Sequence, residues 1–490
     1  MTVLKKHPKR PAKITRLKKV KARKHRLHVP PGGAGGPGGA SVTSMSAAMV
    51  TRLFWRAGFG PTAADITAWT GKSLDDAAEA ILSKPTGTLA GPEPLNADGK
   101  PLDPKNDNND LVLQWLDRMV RTDNPTIERL AFFWHRHFGN SADVVNPPQL
   151  LIKHIDLLRK YSDFSANPDA SFPKFAYDIS TDPSMLRFLD GEQNRKGGPN
   201  ENYAREVMEL FAIGVFDDAG KSNYSESDVK SLAKAFTGWT INEVDPDNAS
   251  AVFTESQRFV GPKSIFGKLA DYKMDTGVQL VVDHPNHAAF LVRKIWGEFM
   301  PKDPTPAQVA DLVKVYMAGG RKLKPLLKAV LTNPAIFESV DEPNMLKPPV
   351  VYAVGVMRSL GLGINGTAIL GYLGGMGQIP YYPPTVAGWE GGLAWMNTNT
   401  ALERFAFVSN LIGSAPATSP AKIKDVPGET AQAAFDRAYA SVGSPWLAAG
   451  TRASLLDYAN RTPAKKAGDG INRQLMLRSL ILAGPDAQVM

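Results

Sequence analysis

From residue 46 onward, apolar side chains return every three to four positions in segment after segment, the period of an amphipathic helix rather than a strand. The spacing predicts a helix from Ser46 to Trp55 that stops at "AGFGPT". A second, over 73–84 ("SLDDAAEAILSK"), starts at a serine cap with acidic residues in its first turn, where the helix dipole favours them. "NDLVLQWLDRMVRT" (109–122) and "PTIERLAFFWHRHF" (125–138) predict a helical hairpin with Asp123 and Asn124 at the turn. "PPQLLIKHIDLLRKYS" (147–162) carries its prolines at the start, where a helix tolerates them. In "YSESDVKSLAKAFTGW" (224–239), Ser225 and Asp228 have capping-box spacing and Gly238 is the stop. Helical periods resume over 284–300, 305–320, 322–337 and 346–362, and again after an aromatic, Pro/Gly-rich loop containing "PYYPPTVAGWEGG".

The period fails in three places. Residues 85–108 are rich in Pro, Gly, Asn and Asp and predict a long loop. Residues 249–272 ("ASAVFTESQRFVGPKSIFGKLADY") place short aromatic and β-branched runs around Gly-Pro, which predicts a small hairpin or sheet. Residues 1–28 are a Lys/Arg/His tail too charged to collapse, expected to be disordered, and 29–44 read as a Pro/Gly linker. The expected fold is mainly α: a main helical domain over 45–345 with a β insertion near 249–272, and a C-terminal helical lobe over 346–490 packed on it.

Charge changes this picture less than the total suggests. The net charge is +9, but residues 1–40 hold twelve Lys and Arg and no acid. Removing those twelve from the 57 Lys and Arg leaves 45 against 48 Asp and Glu, a net of −3 for residues 41–490. The basicity is therefore a tail, and residues 5–26 are a candidate contact for a polyanion. The tail has no aromatic residue, so any nucleic-acid contact would be blind to sequence. The chain has no cysteine, which removes disulfides, thiolate metal sites and cysteine nucleophiles. No run reaches the roughly 18 apolar residues of a membrane span, and no apolar stretch of signal-peptide type follows the basic start. The expectation is a cytoplasmic protein, with the cell envelope or secretion as alternatives.

Candidate chemistry concentrates in "DGEQNRKGGPNENYAREVMELFAIG" (190–214). At helical spacing Asn202, Arg205, Glu206 and Glu209 fall within about a 100° wedge opposite an apolar face. Glu201 points toward the apolar side, and is either paired with Arg205 at i,i+4 or held by backbone N–H groups at the helix start. Arg195 and Lys196 in the glycine turn, ahead of a helix N-terminus, suit an anion, although Glu201 stands where that anion would go. One reading is a capped helix with a solvated acidic face. The other is a cleft in which Glu206 and Glu209 split their proton affinities and work as acid and base, or bind a cation. Five histidines lie in the body: His135, His137, His154, His284 and His287. His135 or His284 could join Glu206 and Glu209 around a divalent ion. The i,i+3 pair His284 and His287 could chelate, with Pro285 opening a helix, His284 cap-like and Asp283 orienting it. For any single histidine a structural role is the expected one. Serine-nucleophile, Walker and dinucleotide-binding patterns are absent.

"RLFWRAGFGPT", "ERLAFFWHRHFGNS", "MLRFLDGEQNRKGGPNENYAREVMELFAIGV", "YSESDVKSLAKAFTGWT", "HPNHAAFLVRKIW" and "PPTVAGWEGGLAWMNT" occur in that order. Together they resemble the bacterial domain-of-unknown-function family 1800 over roughly residues 50–410. The resemblance implies a mostly helical bacterial protein and brings no assigned activity. It implies export for many members and, often, a neighbouring gene for a sulfatase-like partner. This chain departs by lacking an apolar signal, and the second histidine of "HPNH" is not a dependable part of the pattern. It shares Asp190, Asn200, Glu201, Asn202, Arg205, Glu206 and Glu209. Two functions remain open on the sequence. One is a carboxylate-based hydrolase, with or without a divalent metal: Glu206, Glu209, Glu201, Arg205 and Asp190 in catalysis, Arg195, Lys196, Asn200, Asn202 and Trp239 in binding. The other is a non-catalytic envelope or assembly protein that attaches to a polyanion through its tail.

Overall fold

Helix starts in the computed structural model follow the caps written in the sequence. Ser46 and Ser73 accept from the backbone N–H groups of Met49 and Asp76. Ser225 and Asp228 close the expected capping box ahead of Glu226–Ala235, and Thr62–Asp65 and Thr305–Gln308 close two more. Each such cap is worth about 1 kcal/mol to its helix. The structure describes residues 44–415 and 422–490. The basic tail and all but the last residue of the linker lie outside the described residues.

Among the described residues there are 20 α-helices, and strands occur only in two small antiparallel pairs. Trp239–Asn242 pairs with Ser250–Phe253, and Lys263–Ile265 with Lys268–Ala270. The fold is thus mainly α with a small β insertion. That insertion starts earlier than the sequence period suggests. The helix ends at Ala235, and Trp239 is a strand residue opposite Phe253, their rings 5.3 Å apart. Gly238 makes the reversal at φ +101°, where a Cβ would lie 3.0 Å from the Phe253 ring and 3.1 Å from the Thr254 carbonyl. Only glycine meets both conditions without strain.

The core is aromatic near its centre. Phe175 meets Trp134 edge-on at 5.1 Å and Phe138 at 5.0 Å, and stacks on Tyr161 at 4.2 Å. Such pairs add about 0.5–1.5 kcal/mol each beyond the area they bury. The described residues fall in one compact unit. Arg358, at the end of the helix Pro349–Ser359, donates to the carbonyls of Met119, Val120 and Thr122 at 3.1, 2.8 and 2.8 Å. It thereby satisfies the open C-terminal carbonyls of the helix Asn108–Arg121. No described helix is long and apolar enough to cross a membrane.

Candidate functional site

The segment 190–214 builds itself from local amide bonds. Asp190 adopts φ 57°, and its carboxylate accepts from the Asn202 side chain at 3.0 Å. Asn194 accepts from the Asn200 N–H at 3.0 Å and donates to the Ala233 carbonyl at 2.9 Å. Asn200 in turn accepts from the Asn202 N–H at 2.9 Å. Asp190, Asn200 and Asn202 are therefore anchors of their own loop. Arg195 and Lys196 stand exposed on a tight turn closed by a 3.0 Å bond from Gly198 N–H to the Arg195 carbonyl.

The helix beyond the loop is not the single α-helix its period predicts. Asn202–Glu206 is α-helical, and Val207–Ala212 is a π-helix. The wider turn is closed by Ile213 N–H on the Met208 carbonyl at 3.3 Å, a carbonyl that Gly214 N–H shares at 2.9 Å. It leaves the next carbonyls open, and side chains from three other segments satisfy them. His137 Nε2 lies 3.0 Å from the Phe211 oxygen and His287 Nδ1 2.9 Å from that of Ala212. Asn286 donates to Ile213 at 2.7 Å, and Asn223 donates to Ile213 and Gly214 at 3.0 Å each. π-turns of this kind are rare and cluster at functional sites.

These bonds decide the histidine expectations. The second nitrogen of His287 faces the Tyr316 hydroxyl at 3.0 Å, so with both nitrogens engaged it cannot chelate with His284. His284 is cap-like as expected, its Nδ1 accepting from Asn286 N–H at 3.2 Å. The helix, however, runs His287–Phe299 rather than from Pro285. Asp283 does not orient His284; it pairs with Arg321 at 2.6 Å and accepts from Gln279. His135 is fully buried among Trp115, Phe132, Tyr381 and Trp389, and accepts from Tyr381 N–H at 3.0 Å. Among the described residues no contact joins it to Glu206 or Glu209, because those rings enclose it. Burial depresses both His135 and His137 to a pKa of about 3, so both are neutral structural groups.

The carboxylates of the motif do come together, around one arginine. Arg205 reaches Glu201 at 3.1 Å, Glu226 at 2.7 Å and Glu209 at 3.8 Å. The i,i+4 partner of Glu201 is thus Arg205, one of the two alternatives its spacing allows. Glu209 also accepts from the Tyr224 hydroxyl at 2.5 Å. Glu206 is different: half-buried, it takes no hydrogen bond or ion pair among the described residues. Burial, reinforced by the charge of Glu209 and opposed by Arg205, pushes its pKa up to about 7. Two members of this cluster, Tyr224 and Glu226, carry no sign of it in the sequence. Their visible role there is to open the helix Glu226–Ala235, and nothing local points 15 or 21 residues back. Trp239 packs on Phe253 in the β insertion.

The donor set does not fit the divalent ion raised by the sequence. Among the described residues no group of three or more His, Asp or Glu is arranged to hold a metal. One oxygen of Glu209 is committed to Tyr224 and Arg205, and His135 stands apart. What the arrangement suits is proton movement, with two neighbouring carboxyls in unlike surroundings. A family model described as a protein of unknown function (DUF1800) matches residues 52–489. No curated protein and no solved structure matches the chain.

Proposed function

The chain belongs to the DUF1800 family, and on that premise we propose that it is a carboxylate-based, hydrolase-like enzyme whose acid–base group is Glu206. One observation carries the reading: a half-buried carboxyl without a partner among the described residues, its pKa raised to about 7, next to a second carboxyl engaged by a tyrosine and an arginine. A group that titrates near neutral pH can both give and take a proton there. Glu209 is the fixed acceptor, Arg205 orients it, and Arg195 and Lys196 on the exposed turn are the contacts for an anionic part of the substrate. The test is a panel of chromogenic esters, phosphoesters and glycosides at pH 5–9. Turnover is expected for one class, with a limb near pH 7, and a loss of about 10²-fold or more in Glu206→Gln with no loss of melting temperature at the assay pH. Turnover that survives Glu206→Gln, or none on any class, sinks the proposal.

A second reading has its own support. Arg205 is shared by Glu201, Glu209 and Glu226, which is also how a polar helix is fastened into a scaffold. With the twelve cations of residues 1–40, that describes a non-catalytic assembly factor held to a polyanion. It predicts that Glu206→Gln leaves every function intact while Arg205→Met destabilises the fold.

A further inference from the structure

A cavity of about 560 Å³ lies between the helices Ala47–Ala57 and Pro349–Ser359 and the turn Pro485–Gln488. Its walls are largely apolar, with Trp55, Phe59, Ile66, Val356 and Leu482 among them. Gly355 helps to open it: a Cβ there would stand 2.3 Å from the Trp55 ring. Exposed Thr62, Ala63 and Ser444 form the rim, and Lys347, 5% exposed, lies on the buried side. None of the Glu206 cluster borders this cavity, so a ligand held here neither requires nor reports on the chemistry proposed for Glu206.

The charges on the lining are unbalanced. Arg52, Lys347 and Arg358 face it with one acidic side chain, Asp486, whose carboxylate accepts from Ala448 N–H at 2.7 Å. Arg52 spends both of its Nη groups on backbone carbonyls, and Arg358 spends its Nη1 on three more. The Lys347 ammonium donates to the Ala487 carbonyl at 2.8 Å and sits 3.7 Å over the Trp55 ring, with no carboxylate partner among the described residues. An ammonium has three donors, so two remain. Tyr352 on the same wall donates to the Leu482 carbonyl at 2.9 Å, and Arg404, behind Lys347, donates to its carbonyl at 3.0 Å. Burial first, then repulsion from Arg404, brings the Lys347 amine down to about 7. A buried cation without a counter-ion is a cost that a bound anion removes.

We propose that this cavity binds an amphipathic monoanion, a linear alkyl carboxylate, with its head group on Lys347 and its chain along Trp55, Ile66 and Leu482. The volume falls in the range of small-ligand sites, about 300–1,000 Å³. The head group is a monoanion because the cation at the buried end is a single point-charge ammonium with free donors, whereas the Arg52 fork is committed and Arg358 is held by three helix carbonyls on its Nη1.

Calorimetric titration with dodecanoate, dodecanol and acetate tests this. Dodecanoate should bind with proton uptake at pH 7.5 and weaken about tenfold or more between pH 6 and pH 9, as the amine loses its proton. Dodecanol and acetate should bind far more weakly at both. Lys347→Met, which keeps the volume, should weaken dodecanoate about tenfold or more and leave dodecanol unchanged. Ala63→Trp, on the exposed rim, should block dodecanoate without altering the fold, and it decides the matter should Lys347→Met fail to fold. Dodecanol binding as tightly as dodecanoate, dodecanoate affinity independent of pH, or binding untouched by Ala63→Trp would each overturn the proposal.

Discussion

At the scale of the residue, the molecule turns on one carboxyl left without a partner among the described residues. Glu206 has an ordinary value of 4.5 in the unfolded chain and about 7 in the fold. Between those values the folded state binds the extra proton, so raising the pH through that window removes stability. The expected outcome is that the unfolding free energy of the wild type in urea, taken relative to that of Glu206→Gln, falls from pH 5 to pH 8. The buried histidines, whose depressed proton affinity makes stability rise up to about pH 6.5, contribute alike to both proteins. In Glu206→Gln that part of the slope should be absent, and the variant should be the more stable of the two at pH 8. Identical slopes would show that the carboxyl is better solvated than its surroundings imply. The pair of carboxylates is visible in the sequence as a spacing, and so is the Glu201–Arg205 pair, because both are set within one helical turn. The raised proton affinity is not visible there. It depends first on burial, a property of the packed state, and then on the charge of Glu209 beside it.

At the scale of the element, the π-turn is the feature with most behind it. Its carbonyls are held by His137, His287, Asn223 and Asn286, from the helices Pro125–His137 and His287–Phe299 and from the stretches before the helices at 226 and 287. His287→Ala strands the Ala212 carbonyl and the Tyr316 hydroxyl in a buried site, at about 1–3 kcal/mol per group. Urea unfolding should show a loss of about 2–5 kcal/mol, and carboxyl NMR should show the Glu206 titration moving as the turn relaxes. Ser225→Ala removes only a surface cap and should cost about 1 kcal/mol, leaving that titration in place. Gly355→Ala, whose Cβ would meet the Trp55 ring at 2.3 Å and the Phe59 carbonyl at 2.9 Å, should cost about 1–3 kcal/mol through overpacking. Helix starts are legible in the sequence because a cap is written within four residues. The π-turn is not, since apart from Asn223 it is held by side chains that arrive from about 75 residues away. Trp239 falls on a helical period for a related reason: its strand exists only because Ser250–Phe253 offers it a partner.

At the scale of the whole molecule, the distribution of charge matters more than its sum. The described body belongs to a stretch that is nearly neutral, while twelve cations crowd into residues 1–40. A contact with a polyanion should then belong to the tail alone. Non-specific binding of such a tail has a dissociation constant of roughly 10⁻⁴–10⁻⁶ M and weakens steeply as salt rises, because each neutralised phosphate releases counter-ions. Deleting residues 1–40 is expected to abolish salt-sensitive retention on heparin or duplex DNA. It should leave the melting temperature of the remainder unchanged, since a segment this rich in cations and free of aromatic residues has little apolar surface to give a core. The same deletion separates the two functional readings. A hydrolase centred on Glu206 keeps its turnover on small substrates without the tail, because none of the groups around Arg205 comes from it. An assembly factor loses its attachment and with it the function. Retention that persists in the truncated protein would move the polyanion contact onto the body, where Arg195 and Lys196 are the exposed cations to mutate next.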